Sequence, residues 1–295
     1  MGRILRTAYS CGRNGRLPVQ ILAGLACFSL AALAAEPIRR SFDTGENSVL
    51  LLRTHVGTIA VMGWDQNQLE IQARPASDAI EVMIFGEGQK VTVQSNLKQE
   101  ELSTEDARVD FEIHVPRRST VLLNTQQGEI KVENIEGDVT VEGVSASVVL
   151  SDVHGNISIR TVDGPIQLTA SDGHIKVDSI QGDLRFTRVN GSKLVANTNS
   201  GTIRYEGDFG QGGTYVLNNY SAPIEIFASV QASFDFTARA VAGLIESNLT
   251  LHPIPIGNAF RSIPANRFLR GRVNSGQSTV EVTSYSGTIR VQGSR

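Results

Sequence analysis

From Gly128 onward, apolar and polar positions alternate in a phrase that returns every nine residues: a small residue, then polar, apolar, polar, apolar. It reads Gly128-Glu-Ile-Lys-Val, Gly137-Asp-Val-Thr-Val, Ala146-Ser-Val-Val-Leu, Gly155-Asn-Ile-Ser-Ile, Gly164-Pro-Ile-Gln-Leu, Gly173-His-Ile-Lys-Val and Gly182-Asp-Leu-Arg-Phe. Gly191-Ser-Lys-Leu-Val then disturbs it, and after a step of ten it resumes at Gly201-Thr-Ile-Arg-Tyr. Period-two alternation places both apolar residues on one face of a strand, and the bias toward Ile and Val suits a pleated, half-buried surface. Asp163-Gly164, Asp172-Gly173 and Asn190-Gly191 are turn pairs that accept positive backbone angles. Gly128, Gly137, Gly155, Gly164, Gly173, Gly182, Gly191 and Gly201 are therefore expected to be structural turn residues.

One such unit cannot stand alone. Burying two aliphatic side chains gives roughly 3 to 6 kcal/mol, while ordering nine backbone residues costs on the order of 9 to 18 kcal/mol. Each unit must lean on neighbours through ladder hydrogen bonds, which is how solenoids are stabilised. Two units make one full coil, and a fixed period of this kind predicts an all-β, β-helix-like solenoid. Lys193 occupies the first apolar slot of its unit, so a bulge is expected between Gly191 and Gly201, with Leu194 facing inward.

The phrase also appears at Gly57-Thr-Ile-Ala-Val, Gly243-Leu-Ile-Glu-Ser and Gly287-Thr-Ile-Arg-Val. Before the regular block, strands are expected near 49–53, 58–62, 68–73, 79–85, 90–95 and 109–115. A polar link carrying Glu100, Glu101, Glu105 and Asp106 interrupts them. The domain reading is an N-terminal β cap over 36–116 and a solenoid over 117–295, with an irregular basic loop at about 249–273.

The first residues hold Arg3, Arg6, Arg13 and Arg16, an apolar stretch from Leu17 to Leu33, and Ala32-Leu33-Ala34. This reads as a signal peptide over 1–34, cleaved after Ala34, which places the protein in the periplasm, on the outer surface or outside the cell. A membrane anchor is the competing reading, but Pro18 and Gln20 leave the apolar run marginal for a span of about 20 residues. Both cysteines, Cys11 and Cys27, lie in this leader. Its removal leaves no disulfide, thiolate nucleophile or Cys-ligated metal, and lipidation of Cys27 is the alternative. The net charge of −3 argues against a nucleic-acid partner.

Four segments together resemble one family: Gly57-Thr-Ile-Ala-Val-Met-Gly-Trp-Asp, Phe111-Glu-Ile-His-Val-Pro-Arg-Arg, the nine-residue ladder, and Ser284-Tyr-Ser-Gly-Thr-Ile-Arg-Val. The chain is similar to the bacterial β-strand-repeat family described as adhesins, a domain of unknown function found on secreted and envelope proteins. The resemblance covers about 40 to 295. It implies an exported β-solenoid, and it brings no catalytic or cofactor residues. Ala146 and Lys193 depart from the pattern.

Chemistry is sparse. A carbohydrate-active β-helix would need two carboxylates about 5 to 10 Å apart. Asp138, Asp152, Asp163, Asp172, Asp178 and Asp183 are the candidates, but their positions beside turn glycines or on outward faces favour structural roles. His154 and His174 do not fall at equivalent positions, and His55, His114 and His252 are isolated. No metal-ligand spacing appears, and the single glycine per unit excludes the calcium-binding nonapeptide. No cofactor is expected and no catalytic residue is assigned.

Two surfaces remain. Lys131, Gln167, Arg185 and Arg204, interrupted by Val149, are expected to form a weakly basic column, opposite Thr140, Ser158 and Lys176. Between Glu246 and Glu281 there is no acidic residue, while Arg261, Arg267, Arg270 and Arg272 accompany Phe260 and Phe268. That segment is the candidate site for an anionic ligand. The expected partners are an envelope polysaccharide, an anionic lipid surface or an envelope protein. The leading reading is a non-catalytic, adhesin-like binding or scaffolding protein of the cell envelope; a carbohydrate-active enzyme and a stress-regulatory partner are the alternatives.

Overall fold

The computed structural model describes residues 36–99, 102–254, 264 and 266–294. The leader, Arg261 and Phe260 lie outside the described residues. The first strands are β1 (Ile38–Asp43), β2 (Val49–Trp64), β3 (Gln68–Pro75), β4 (Ile80–Glu87), β5 (Lys90–Leu97) and β6 (Val109–Pro116). The regular block holds β7 (Thr120–Ile135), β8 (Val139–Asp163), β9 (Ile166–Thr169), β10 (Asp172–Asp178), β11 (Leu184–Thr187), β12 (Lys193–Thr198), β13 (Ile203–Glu206), β14 (Thr214–Asn219) and β15 (Ile224–Ser229). The last strands are β16 (Phe234–Ala240), β17 (Ile245–Ser247), β18 (His252–Pro253), β19 (Phe268–Val273), β20 (Ser278–Ser284) and β21 (Ile289–Ser294). All pair into one continuous sheet that coils into a two-faced solenoid.

The expected two-unit coil is present: Val121 pairs with Val139, Val148 with Ile166 and Ile157 with Ile175, all in parallel. The coil then lengthens by a single position, with His174 opposite Lys193 and Leu184 opposite Ile203. The extra residue falls at Ser192, because Gly191 still lies over Gly173. Lys193 is exposed and Leu194 is fully buried, as the slipped register requires. Inward residues from the two faces, such as Val121 and Ile130 on one rung, fill a single core.

Both ends are built by long-range insertion. β2 lies in register with β7, Leu50 on Val121 and Ile59 on Ile130, so the column already runs through Val49–Trp64 inside the expected cap. β5 and β6 form the rung beneath β2; β4 runs antiparallel to β5 as its hairpin partner, and β3 runs antiparallel to β6. β1 closes the outer edge against β3. At the other end β20 sits between β14 and β16, and β21 between β15 and β17. The chain thus leaves one slot open and fills it last. Tyr205, Phe209, Tyr215 and Phe234 pack there with ring centroids 4.7 to 5.8 Å apart. Burial pushes the phenols of Tyr205 and Tyr215 up from their ordinary pKa, and the Tyr205 hydroxyl donates to the Val189 carbonyl at 2.7 Å.

The corner glycines do not share the feature expected of them. Gly128, Gly155, Gly164 and Gly173 have positive φ, whereas Gly137, Gly182, Gly191 and Gly201 do not. What they share is a backbone contact with the rung below. A Cβ on Gly182 would lie 2.0 Å from the Gly164 carbonyl oxygen, and one on Gly201 would lie 1.9 Å from that of Gly182. On the opposite corner Gly173 stands over Gly155 in the same way, at 2.1 Å. At these glycines, hydrogen between stacked backbones is what lets the corner close.

Three residues before one glycine column runs a buried polar column. The Ser179 and Thr198 hydroxyls accept from the amides of Gly182 and Gly201 at 2.9 and 3.2 Å, and Ser284 does the same for Gly287 at 2.9 Å. Asn219 Oδ1 accepts from Ala222 N at 2.8 Å. Each cap satisfies a corner amide that the ladder leaves over. The far corner uses left-handed residues instead: Asn134, Asp152, Ala170 and Arg188, with φ of 49 to 64°.

Candidate functional site

The six carboxylates considered for catalysis are each held by the scaffold. Asp138 Oδ1 accepts from the Asn156 side chain at 2.9 Å, Asp163 from its own Gly164 amide at 2.7 Å, and Asp183 from Thr202 N at 2.7 Å. Asp178 takes the Asn197 amide at 2.7 Å and Lys176 Nζ at 3.3 Å. Asp152 and Asp172 are the two that come together. They clasp His154, with Nε2 3.1 Å from Asp152 and Nδ1 3.0 Å from Asp172. Partial burial opposes the charged ring, but the hydrogen bonds to Asp172 and Asp152 outweigh it and raise the His154 pKa. An imidazolium bonded at both nitrogens has no lone pair for a substrate proton or a metal. Among the described residues no cluster of three His, Cys, Asp or Glu side chains is placed to hold a metal.

The expected basic column is largely neutralised. Lys131 pairs with Glu129 at 3.0 Å. Arg204 bonds Glu206, reaches Glu225 at 3.4 Å and lies 4.3 Å above the Phe227 ring. Arg290 joins the same column, bridging Glu225 at 3.4 Å and Glu246 at 3.0 Å. The late insertion of β21 brings these partners together from distant parts of the chain, which the nine-residue period does not record.

In the basic segment, Arg270 and Arg272 lie on β19, antiparallel to β16. Arg272 is committed to Asp235 through two hydrogen bonds of 2.6 and 2.8 Å. That bidentate pair holds the Asp235 carboxyl below its ordinary range and the guanidinium above its own. Arg267 and Arg270 have exposed side chains.

A further surface lies beside the polar caps. Two places before the corner position the side chain points outward, and on six rungs it is apolar: Val144, Val162, Ile180, Tyr220, Tyr285 and Val241, all 42 to 55% exposed. Backbone bonds stack them rung on rung. Gln181 N donates to Val162 O, Asn199 N to Ile180 O, Ser221 N to Asn199 O and Ser286 N to Tyr220 O, at 2.8 to 3.2 Å. Ala242 N donates to Tyr285 O at 2.6 Å. The Tyr220 and Tyr285 rings stack at 4.7 Å with planes 1° apart. The result is a single file of apolar side chains along one corner, broken at Asn199.

Fold and surface together define an all-β solenoid whose regular corners organise an outward line of side chains. The chain belongs to the Toastrack DUF4097 family, whose model matches residues 50–293. Similar solved structures include a candidate adhesin from Bacteroides fragilis NCTC 9343, 11% identical over 88% of this chain and 98% of that one, with a TM-score of 0.43. Another is a candidate cell adhesion protein from Clostridium sporogenes ATCC 15579, 11% identical over 88% of this chain and 100% of that one, with a TM-score of 0.31. Comparison with the curated proteins found no match.

Proposed function

We propose that this protein is an exported, non-catalytic component of the cell envelope with an adhesin-like binding or scaffolding role. One contrast on its surface carries the reading. The outward carboxylates that acid–base chemistry would need are engaged in scaffold hydrogen bonds and ion pairs, while a line of apolar side chains, interrupted only by Asn199, is left open. Exposed apolar surface concentrated along one line marks an interaction site. The basic leader with its apolar core supports export.

The test is to incubate the purified protein with isolated envelope fractions and a polysaccharide panel. Retention without turnover is expected. Turnover that disappears in Asp152→Asn or Asp172→Asn would overturn the non-catalytic role, and retention by no fraction would overturn the binding role. Export is checked by fractionation and by the mass of the mature chain, which should begin at Ala35. A second reading rests on Arg267 and Arg270, whose exposure suits an anionic polymer or lipid head group.

A further inference from the structure

We propose that the corner stripe formed by Val144, Val162, Ile180, Tyr220, Tyr285 and Val241 binds a neutral linear polysaccharide lying along the solenoid axis. This rests on the binding role above and names its surface and its ligand class.

Four observations select that occupant. First, the stripe is one residue wide, and six side chains fall well short of the roughly 20 to 30 residues per partner that a specific protein interface uses. Second, the corner amides of Gln181, Asn199, Ser221, Ser286 and Ala242 are bonded to the adjacent rung, so an extended peptide finds no open backbone edge to join. Third, the next outward column is Ser145, Asp163, Gln181, Ser200, Ser221 and Ser286, exposed and free of Lys or Arg. An anionic lipid surface or acidic polymer would meet no cation there.

Fourth, the polar column has acceptors to offer. The Ser200, Ser221 and Ser286 hydroxyls donate to the carbonyls of Ile180, Asn199 and Tyr220, at 3.4, 3.1 and 3.2 Å. That uses their protons and leaves their lone pairs facing out. A sugar ring has an apolar C–H face and a rim of hydroxyl donors. The apolar file meets the face and the serine column meets the rim. From the rung of Val144 to that of Val241 there are six steps of about 4.8 Å, so the track is roughly 29 Å long. Only an elongated ligand uses all of it.

Affinity electrophoresis of the purified protein in gels containing hydroxyethylcellulose, galactomannan or dextran tests this. Retardation by at least one of these neutral polymers is expected. It should weaken by about tenfold or more in Tyr220→Ser/Tyr285→Ser, which removes the exposed apolar edges of the stacked ring pair. The pair Val162→Thr/Ile180→Thr repeats the test at the other end of the stripe, in case one double variant misfolds. Aromatic NMR signals of the unaltered protein provide a reading without mutation, since those of Tyr220 and Tyr285 should shift on adding the polymer.

Unchanged binding in folded stripe variants overturns the inference, as does failure of every neutral polymer. Stripe-dependent binding to polygalacturonate or phosphatidylglycerol vesicles overturns the ligand class, and a stripe-dependent change in sedimentation reveals a second copy instead. In each of these outcomes the binding role survives if an envelope fraction still retains the protein. It fails only if none does.

Discussion

Gly143 and Ala146 exchange the sizes found at the same two positions on the adjacent rungs. There, Thr125 is followed three residues on by Gly128, and Thr161 by Gly164; here the cap position is glycine and the corner position carries the methyl. A Cβ on Gly143 would lie 2.8 Å from the Ala146 Cβ, so only one of the two can be larger than glycine. Gly143→Thr alone should cost about 1 to 3 kcal/mol through overpacking, and Ala146→Gly alone about 0.5 to 1 kcal/mol. The double variant rebuilds the neighbouring Thr-x-x-Gly rung and should recover most of the loss. A denaturant double-mutant cycle with a coupling energy below about 0.5 kcal/mol would refute the exchange.

Corner glycines separate two causes of glycine preference. Gly182 has no positive φ, yet a Cβ there meets the Gly164 carbonyl oxygen at 2.0 Å. Gly212 has φ of 73° with nothing within 4 Å. Gly182→Ala forces two rungs apart and should destabilise by about 3 kcal/mol or more, with steeper loss of the cooperative transition. Gly212→Ala meets only left-handed strain and should cost about 1 kcal/mol. Equal losses in urea unfolding would mean that stacking contact does not set the glycine column.

The regular block was legible because its information is local. Each nine-residue unit carries its own apolar pair and corner, and the strands expected at 68–73, 90–95 and 109–115 coincide with β3, β5 and β6. The closing rung was not legible, since Ile224 meets Ile289 across the whole of β16 to β20 and no period spans that gap. The apolar stripe was written in the sequence, as Val144, Val162 and Ile180, each two units after the last. It lies two residues before each corner position, outside the x-apolar-x-apolar phrase that follows it. The left-handed corner is marked only at Asn134 and Asp152, since Ala170 and Arg188 are not residues that signal positive φ.

That corner holds recoverable strain at Ala170. Ala170 sits at φ 49°, where an L-residue with a Cβ is disfavoured by about 1 to 2 kcal/mol. Glycine relieves this but adds unfolded-state entropy of roughly 0.5 to 1 kcal/mol. Ala170→Gly should therefore stabilise the fold by up to about 1.5 kcal/mol, the balance of the two. A lowered urea midpoint would show that the rung holds Ala170 without strain.

His154 gives stability a direction in pH. Its pKa is raised in the folded state above the ordinary 6.5, because the bonds to Asp172 and Asp152 favour the imidazolium more than partial burial opposes it. The native state therefore binds the proton more tightly than the unfolded chain does. The contribution is fully present below about pH 6.5 and is lost as pH rises through the elevated folded value. With 43% of the side chain exposed, solvent screening keeps it modest. Urea midpoints measured from pH 5.5 to 8.5 should fall for the native protein relative to His154→Asn, which cannot titrate. Parallel profiles for the two proteins would mean that the clasp contributes no pH-dependent stability, and a rise toward alkaline pH would reverse the assigned sign.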